Sequence, residues 1–398
     1  MNILIYTDIF APSIGGVQTI TAILAKGLAE WTAAPNGKPA KTNDVIVATQ
    51  TPAGTFDDSQ FRFRVVRRPG FLKLFRLIRN ADVVHAVGPA ILPMAIGLLL
   101  RKPVVVEHHG YQAVCPSGIY LHLPEAELCP GHFTSGHYLE CFRCQAVEVS
   151  GWTSARNILL MFPRRWLAKH VDANIGPSDH TGNRIALPHT QTIYHGIEDP
   201  LAPKARRPVP EPPICFAYLG RLVPEKGVDL LLRAAASVKR DGRDFRLKII
   251  GDGSEGNNLK SVSKELCLED RVTFLGYQQG PELVETLSDV SVSVIPSRWE
   301  EVAGLSAIEP MMRGSLVVAA EIGGLGEMVG DAGMKFAPGD VDALAACMLR
   351  AIDNPDLVRS FGEAARRRAL QNFSKEEMMR QHLTLYGQFV PSNVVARY

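Results

Sequence analysis

The chain has 398 residues, 46% of them hydrophobic and 21% charged, which is more than one core usually holds, since single cores seldom grow past ~250–300 residues. Two α/β domains are therefore expected. Lysine plus arginine (43) nearly balances aspartate plus glutamate (41), for a net charge of +2; this excludes a global electrostatic case for nucleic acid, so any anion site has to be local.

The chain opens on Met-Asn-Ile-Leu-Ile-Tyr-Thr-Asp, a short apolar run ended by a polar turn, without the basic start and long apolar stretch of an export signal. It reads as a first strand. Ile3–Tyr6, Val45–Thr49, Val83–His85, Val104–Glu107 and Ala173–Ile175 are β-branched runs separated by helical stretches, and such alternation implies a parallel sheet with helices on both faces. The apolar run Ile91–Leu100 is interrupted by Pro93 and Gly97 and is far shorter than the ~20 residues of a membrane helix. Seven cysteines without an export signal point to the reducing cytoplasm.

Residues 110–150 break the alternation, being rich in Gly, Pro, His and Cys. Within this insertion lie Cys115, Cys129, Cys141 and Cys144, the last two as Cys-x2-Cys, a spacing suited to a tetrahedral metal. A structural zinc is the leading reading, with two disulfides or an iron–sulfur cluster as alternatives and His122, His132 and His137 as substitute ligands. Cys215, Cys267 and Cys347 sit in apolar surroundings and are expected in the core. Two segments mix bulky apolar residues with cations, Phe71–Arg79 and Asn157–Lys169. They suit either an anionic bilayer surface or ordinary amphipathic packing on the sheet.

The proline-rich stretch from Pro200 to Pro213 cannot be helix or central strand. The expected domains are thus 1–200, a linker at 201–213, and 214–375. Strands then resume at Ile214–Leu219, Leu247–Ile250, Val272–Phe274, Val292–Ile295 and Leu316–Ala319. A terminal helix over 376–398 has periodicity from Glu376 to Phe389; the pattern leaves its domain open, and a return to the N-terminal domain is one placement.

Where a parallel strand ends in glycine and a helix begins, backbone N–H groups and the helix dipole favour phosphate. Four junctions of the second domain have this form. Gly220-Arg221-Leu-Val-Pro-Glu-Lys226-Gly227 puts two cations on one loop, as a diphosphate requires. Ile249-Ile-Gly251-Asp-Gly253-Ser-Glu-Gly256 fits G-x-G-x-x-G, but no acidic residue ends the next strand, which weakens a dinucleotide reading. In Pro296-Ser-Arg-Trp-Glu-Glu301-Val-Ala-Gly304-Leu305-Ser-Ala-Ile-Glu309, Glu301 falls in a loop and Glu309 in the second turn of a helix. Both carboxylates can accept from sugar hydroxyls while the Gly304 and Leu305 amides remain for phosphate. Gly323-Gly324 closes the same rim.

At these residues the chain resembles the retaining glycosyltransferases of family 4, which have the GT-B fold of two Rossmann-like domains facing across a cleft. Glu301 and Glu309 are similar to that family's E-x7-E signature, the Gly220–Gly227 loop to its diphosphate loop, and Gly323-Gly324 to the turn after its penultimate strand. Gly15-Gly16-Val17 matches the glycine-rich loop after the first strand, and Ile193-Tyr-His195-Gly196-Ile197 the segment entering the linker. The family usually has an aromatic residue where Ala303 stands and an asparagine where His195 stands.

The resemblance implies that Arg221 and Lys226 neutralise the leaving diphosphate, Glu309 binds the donor ribose, Glu301 holds the transferred sugar and Gly16 approaches the phosphates. His109 falls where the family places a cleft histidine near that sugar, and Gly251 belongs to the donor-binding set. The implied reaction moves a sugar from a UDP- or GDP-linked donor to a saccharide or lipid-linked acceptor by a front-face route. No metal is expected for transfer: the one D-x-D string, Asp340-Val-Asp342, reads as a helix cap. Two rival readings are a non-catalytic nucleotide-sugar-binding protein and an NAD(P)-dependent oxidoreductase using the Gly251 loop.

Overall fold

The computed structural model describes residues 1–31, 43–125, 127–200 and 212–390. Residues 201–211 of the expected linker 201–213 and the last residues, 391–398, lie outside the described residues. The chain divides into two compact units, Met1–Ile197 joined by the segment from Ser374 on, and Glu198–Phe373.

The first unit is built on β1 (Asn2–Thr7), β2 (Asp44–Thr49), β3 (Arg64–Arg67), β4 (Val83–Val87), β5 (Val104–Glu107), the small antiparallel pair β6 (Leu121–His122) and β7 (Glu127–Leu128), β8 (Ala173–Gly176) and β9 (Thr190–Thr192). Its seven-stranded sheet has the order β3-β2-β1-β4-β5-β8-β9, all parallel. Every residue of β4, β5 and β8 is buried, which is why they read as unbroken apolar runs and not as alternations. Strands β3 and β9 escaped the sequence reading because they contain no fully buried residue. The helix Lys375–Phe389 packs on the helix Gly16–Glu30 within this unit, burying Met378, Met379, His382, Leu385 and Tyr386.

The second unit carries β10 (Ile214–Leu219), β11 (Phe245–Ile250), β12 (Val272–Gly276), β13 (Val292–Ile295), β14 (Leu316–Ala320) and β15 (Met334–Phe336). The order β12-β11-β10-β13-β14-β15 is parallel throughout. β10 and β11 face the helix side with Phe216 and Phe245, fully buried and edge to face at 6.2 Å and 86°. Such a pair adds ~0.5–1.5 kcal/mol to the gain from burial itself. The strand order reverses between β10 and β13, where Phe216 pairs with Val292 and Ala217 with Ser293. In open α/β sheets this reversal leaves a crevice beyond the strands' carboxyl ends, and ligands bind there.

Three cysteine expectations meet the structure differently. Cys215 is buried in the sheet and Cys347 partly buried, whereas Cys267 is exposed. It lies past the end of the helix Gly256–Glu265 at φ 53, its N–H donating to the Lys264 carbonyl, so the turn that stops the helix carries it out to solvent.

Candidate functional site

At the crevice of the second unit, β10 runs through Gly220 into a loop ending in a short turn, Pro224–Lys226, and β13 runs into residues 296–304. Adjacent strand ends bring Lys226 and Glu301 together although they are 75 positions apart: Nζ donates to Oε1 at 2.5 Å, with side chains only 15% and 9% exposed. Ser297, buried, donates its hydroxyl to the same oxygen at 2.7 Å, and the ammonium lies 5.2 Å from the Trp299 ring centroid. Burial alone would raise the Glu301 carboxyl; the charge of Lys226 and the hydrogen bonds outweigh it and hold the group below its ordinary value.

The two loops are also locked through their backbones. Arg298 forms a bidentate pair with Asp229, both contacts at 2.7 Å, and its N–H donates to the Glu225 carbonyl at 2.9 Å. Behind Glu301, Gly323 adopts φ 58, and a Cβ there would meet the Glu301 backbone N and O at 2.6 Å. The Gly324 N–H donates to the Glu301 carbonyl at 2.7 Å. The glycine pair thus fixes the position of Glu301.

Gly251 has a different use from the one its motif suggests. At φ 138, a Cβ would come within 1.8 Å of the Gly220 carbonyl oxygen, and its N–H is taken by the Gly276 carbonyl at 2.8 Å. Leu222 N–H donates to Asp252 and Glu255 N–H to Leu222, each at 2.9 Å. The G-x-G-x-x-G segment is spent on bracing the 220–222 loop, and its first amide is not free for a phosphate.

Glu309 lies in the second turn of the helix Leu305–Met312, which opens at Gly304 without a side-chain cap. It lines a pocket with Leu219, Ser306 and Arg313, and burial raises its carboxyl against the opposing charge of Arg313. It shares none of the Lys226–Glu301 contacts. Arg221 is exposed on the first loop, 3.7 Å from Glu225, while Tyr218 donates its hydroxyl to the Arg221 carbonyl at 2.7 Å. Asp340 caps the helix Val341–Asp353, accepting from the Ala343 N–H at 2.8 Å, as the D-x-D reading has it.

In the first unit Gly16 begins the helix after β1 and is exposed. His109, just past β5, turns inward: its ring stacks on His195 at 4.8 Å and 21°, and Nε2 lies 3.2 Å from Glu107 Oε1. His195 Nε2 approaches the same oxygen at 3.0 Å, while His85 and His382 face Oε2 at 3.1 and 3.3 Å. Four imidazoles therefore surround one buried carboxylate. Burial would raise Glu107, but His109 and the other imidazoles hold it well below its ordinary value. Nothing in the sequence flagged Glu107, His85 or His382 as a set; only the polarity of His85 and Glu107 inside apolar strands could have drawn notice.

The insertion contains the β6–β7 pair and the helix Tyr138–Ala146. Cys115, Cys129, Cys141 and Cys144 are buried free thiols lining one cavity with His122 and His132. Backbone N–H groups of Gly131 and Leu123 donate to Cys129 and Cys144 Sγ, each at 3.4 Å. Burial, with the three neighbouring sulfurs, pushes Cys141 up to about 12. Among the described residues, the groups whose donor atoms lie within 4.8 Å of one another are His85–Glu107–His382 and Glu107–His109–His195.

Comparison with known proteins bears on the second unit first, because residues 203–368 match the family model described as glycosyl transferases group 1. That stretch is similar to the group 1 glycosyl transferases. Glycogen synthase of Mycobacterium tuberculosis is 31% identical over 238 residues, 58% of this chain and 57% of that protein. An MMP alpha-(1->4)-mannosyltransferase of Mycolicibacterium hassiacum is 34% identical over 171 residues, 42% of this chain and 41% of its own. The chain thus spans about half the length of the curated relatives it matches. Among solved structures, Anabaena Alr3699/HepE in complex with UDP superposes with a TM-score of 0.71 at 18% identity, covering 98% of this chain and all of that one (100%). Sucrose-phosphate synthase from Thermosynechococcus elongatus gives 0.69 at 21%, covering 97% and 98%. The fold of the two parallel-sheet units is accordingly the GT-B fold.

Proposed function

We propose that the protein is a retaining glycosyltransferase of family 4, moving a sugar from a nucleoside-diphosphate sugar to the hydroxyl of a saccharide or lipid-linked saccharide. The observation that carries this reading is the Lys226–Glu301–Ser297 contact at the strand-order reversal of the second unit. A cation for diphosphate and a carboxylate for sugar hydroxyls meet there within one contact distance. Solved relatives with the same fold were obtained with UDP and with UDP-glucose, which supports a UDP donor, with GDP the other candidate.

In the proposed front-face step the bond from the anomeric carbon to the diphosphate oxygen breaks. The acceptor oxygen bonds to the same face, and the acceptor proton passes to the departing phosphate. Arg221, Lys226 and the amides at Gly304 and Leu305 stabilise the charge that develops on the leaving group. Glu301 holds the transferred sugar and Glu309 the ribose. Protein positioning and electrostatics then supply the catalysis, and a metal ion is not part of the step.

The same set tests the rivals. Calorimetric titration should show UDP or GDP binding that weakens in Glu309→Gln, together with slow hydrolysis of one nucleotide sugar in a donor screen. Binding of NAD in place of UDP and GDP would overturn the reading in favour of an oxidoreductase; nucleotide binding with no turnover of any donor would favour a non-catalytic sensor.

For the insertion we propose a structural zinc held by Cys115, Cys129, Cys141 and Cys144, supported by the four buried free thiols lining one cavity and the N–H groups aimed at two of the sulfurs. We also propose peripheral contact with an anionic bilayer. Trp152, Leu159 and Trp166 recur at i, i+7 and i+14 of the helix Gly151–Ala168 and are exposed, with Arg156, Arg165 and Lys169 nearby in the sequence. Among the described residues no helix is long and apolar enough to cross a membrane. A cytoplasmic location, with access to the inner membrane face, fits this set.

A further inference from the structure

The histidine cluster of the first unit is more than the proposed transfer reaction requires. His85 sits in β4, Glu107 ends β5, and His382 comes from the helix Lys375–Phe389. All three side chains are fully buried, and their donor atoms lie within 4.8 Å of one another.

The tautomer of His382 follows from its neighbours. Its Nδ1 lies 2.8 Å from the Met378 carbonyl oxygen, which can only accept, so Nδ1 carries a proton. Nε2 of the same ring then faces the Glu107 carboxylate at 3.3 Å. A lone pair pointed at a buried carboxylate is repulsive, and a cation has to lie on or beside that nitrogen. A second proton would produce a charge-assisted bond, for which ~2.7–2.9 Å is normal; the observed 3.3 Å is long. It would also leave His85 unexplained: His85 Nε2 is 3.1 Å from the same carboxylate oxygen, yet makes no aligned hydrogen bond.

A metal ion accounts for both. With bonds of ~2.0–2.2 Å to imidazole nitrogen and carboxylate oxygen, tetrahedral ligands stand about 3.3–3.6 Å apart, close to the separations of 3.1 and 3.3 Å found here. The outer contacts match those that orient metal-bound histidines, whose second ring nitrogen binds a carbonyl, hydroxyl or carboxylate. His382 Nδ1 meets the Met378 carbonyl and His85 Nδ1 the Tyr386 hydroxyl, each at 2.8 Å. Glu107 is steadied through its other oxygen by His195 at 3.0 Å.

We propose that His85, Glu107 and His382 bind one divalent cation of the zinc class, so that the C-terminal helix is pinned to the first unit by a shared metal. Two imidazoles and a carboxylate are borderline ligands that suit zinc better than calcium or magnesium. The site is independent of the thiol cavity and of the donor pocket.

The test is metal analysis of the full-length protein and of a Cys141→Ser/Cys144→Ser variant, which removes the thiol cavity as a source of metal. One equivalent of zinc retained in the thiol variant, and lost on adding His85→Gln or His382→Gln, is the expected result. Cobalt loaded into the thiol variant should absorb without a sulfur charge-transfer band. If these variants fail to fold, cobalt-loaded wild-type protein should display paramagnetically shifted, exchangeable imidazole N–H resonances for two histidines. Absence of those resonances, a thiol variant that neither contains nor takes up zinc, or a metal content indifferent to His85→Gln and His382→Gln would each overturn the proposal.

Discussion

Lys226→Ala removes the cation from Glu301 and leaves the carboxylate in place. The pair is close, 2.5 Å, and nearly buried at 15% and 9% exposure, the regime in which deleting one partner costs ~3–5 kcal/mol, mostly from the charge left unpaired. Ser297 still donates to the same oxygen, so the lower end, ~3 kcal/mol, is the expected loss for the second unit at pH 7 to 8. The sign of the pH dependence follows from the carboxyl. In the wild type Lys226 outweighs burial and depresses Glu301, so its stabilisation is complete above the unfolded carboxyl range and is lost as pH falls through the depressed value. In the variant burial dominates and the carboxyl rises above its unfolded value, so the penalty grows as pH climbs. The stability gap between the two proteins should therefore open from pH ~4 upward. Urea unfolding followed by tryptophan fluorescence at pH 5 and pH 8 measures it. Lys226→Ala/Glu301→Gln should recover most of the loss, and kcat should fall ~10²–10³-fold in Lys226→Ala. A gap equal at both pH values, or a double variant no more stable than the single one, would refute the reasoning.

Gly323→Ala forces a side chain into left-handed backbone, ~1–2 kcal/mol, against Glu301 backbone atoms 2.6 Å from the new Cβ; calorimetry should show a lowered Tm, and turnover should drop because Glu301 moves. Asp340→Ala removes the cap on Ala343 N–H, costing ~1 kcal/mol; transfer should be unchanged by the substitution, and a loss of transfer in this variant that added Mg2+ or Mn2+ restores would give the D-x-D string a metal role. Trp152→Ser/Trp166→Ser should abolish co-sedimentation with anionic vesicles at unchanged Tm, whereas equal sedimentation would leave those tryptophans without a membrane role.

Much of the fold was legible because parallel strands buried on both faces must be continuous apolar runs. Of the ten strands expected, Val104–Glu107, Ile214–Leu219 and Val292–Ile295 agree end to end with β5, β10 and β13. The strands missed are β3, β9 and β15, edge elements of three or four residues, and the two-residue pair β6 and β7, all too short for periodicity to register. The residues of the proposed donor site were legible too, because Lys226, Glu301 and the glycine pair each sit at a strand-to-helix junction with its own local signature. That Lys226 touches Glu301, while Glu309 faces Arg313 and Gly251 braces Gly220, was decided only by the strand order, which places β13 beside β10 and so puts two distant loops edge to edge. The histidine cluster shows the same limit more sharply. Local pattern determines which residues are strand, helix or turn; it does not bring positions 85, 107 and 382 to one point, because that meeting depends on β4 pairing with β5 and on the last helix packing back on the first unit.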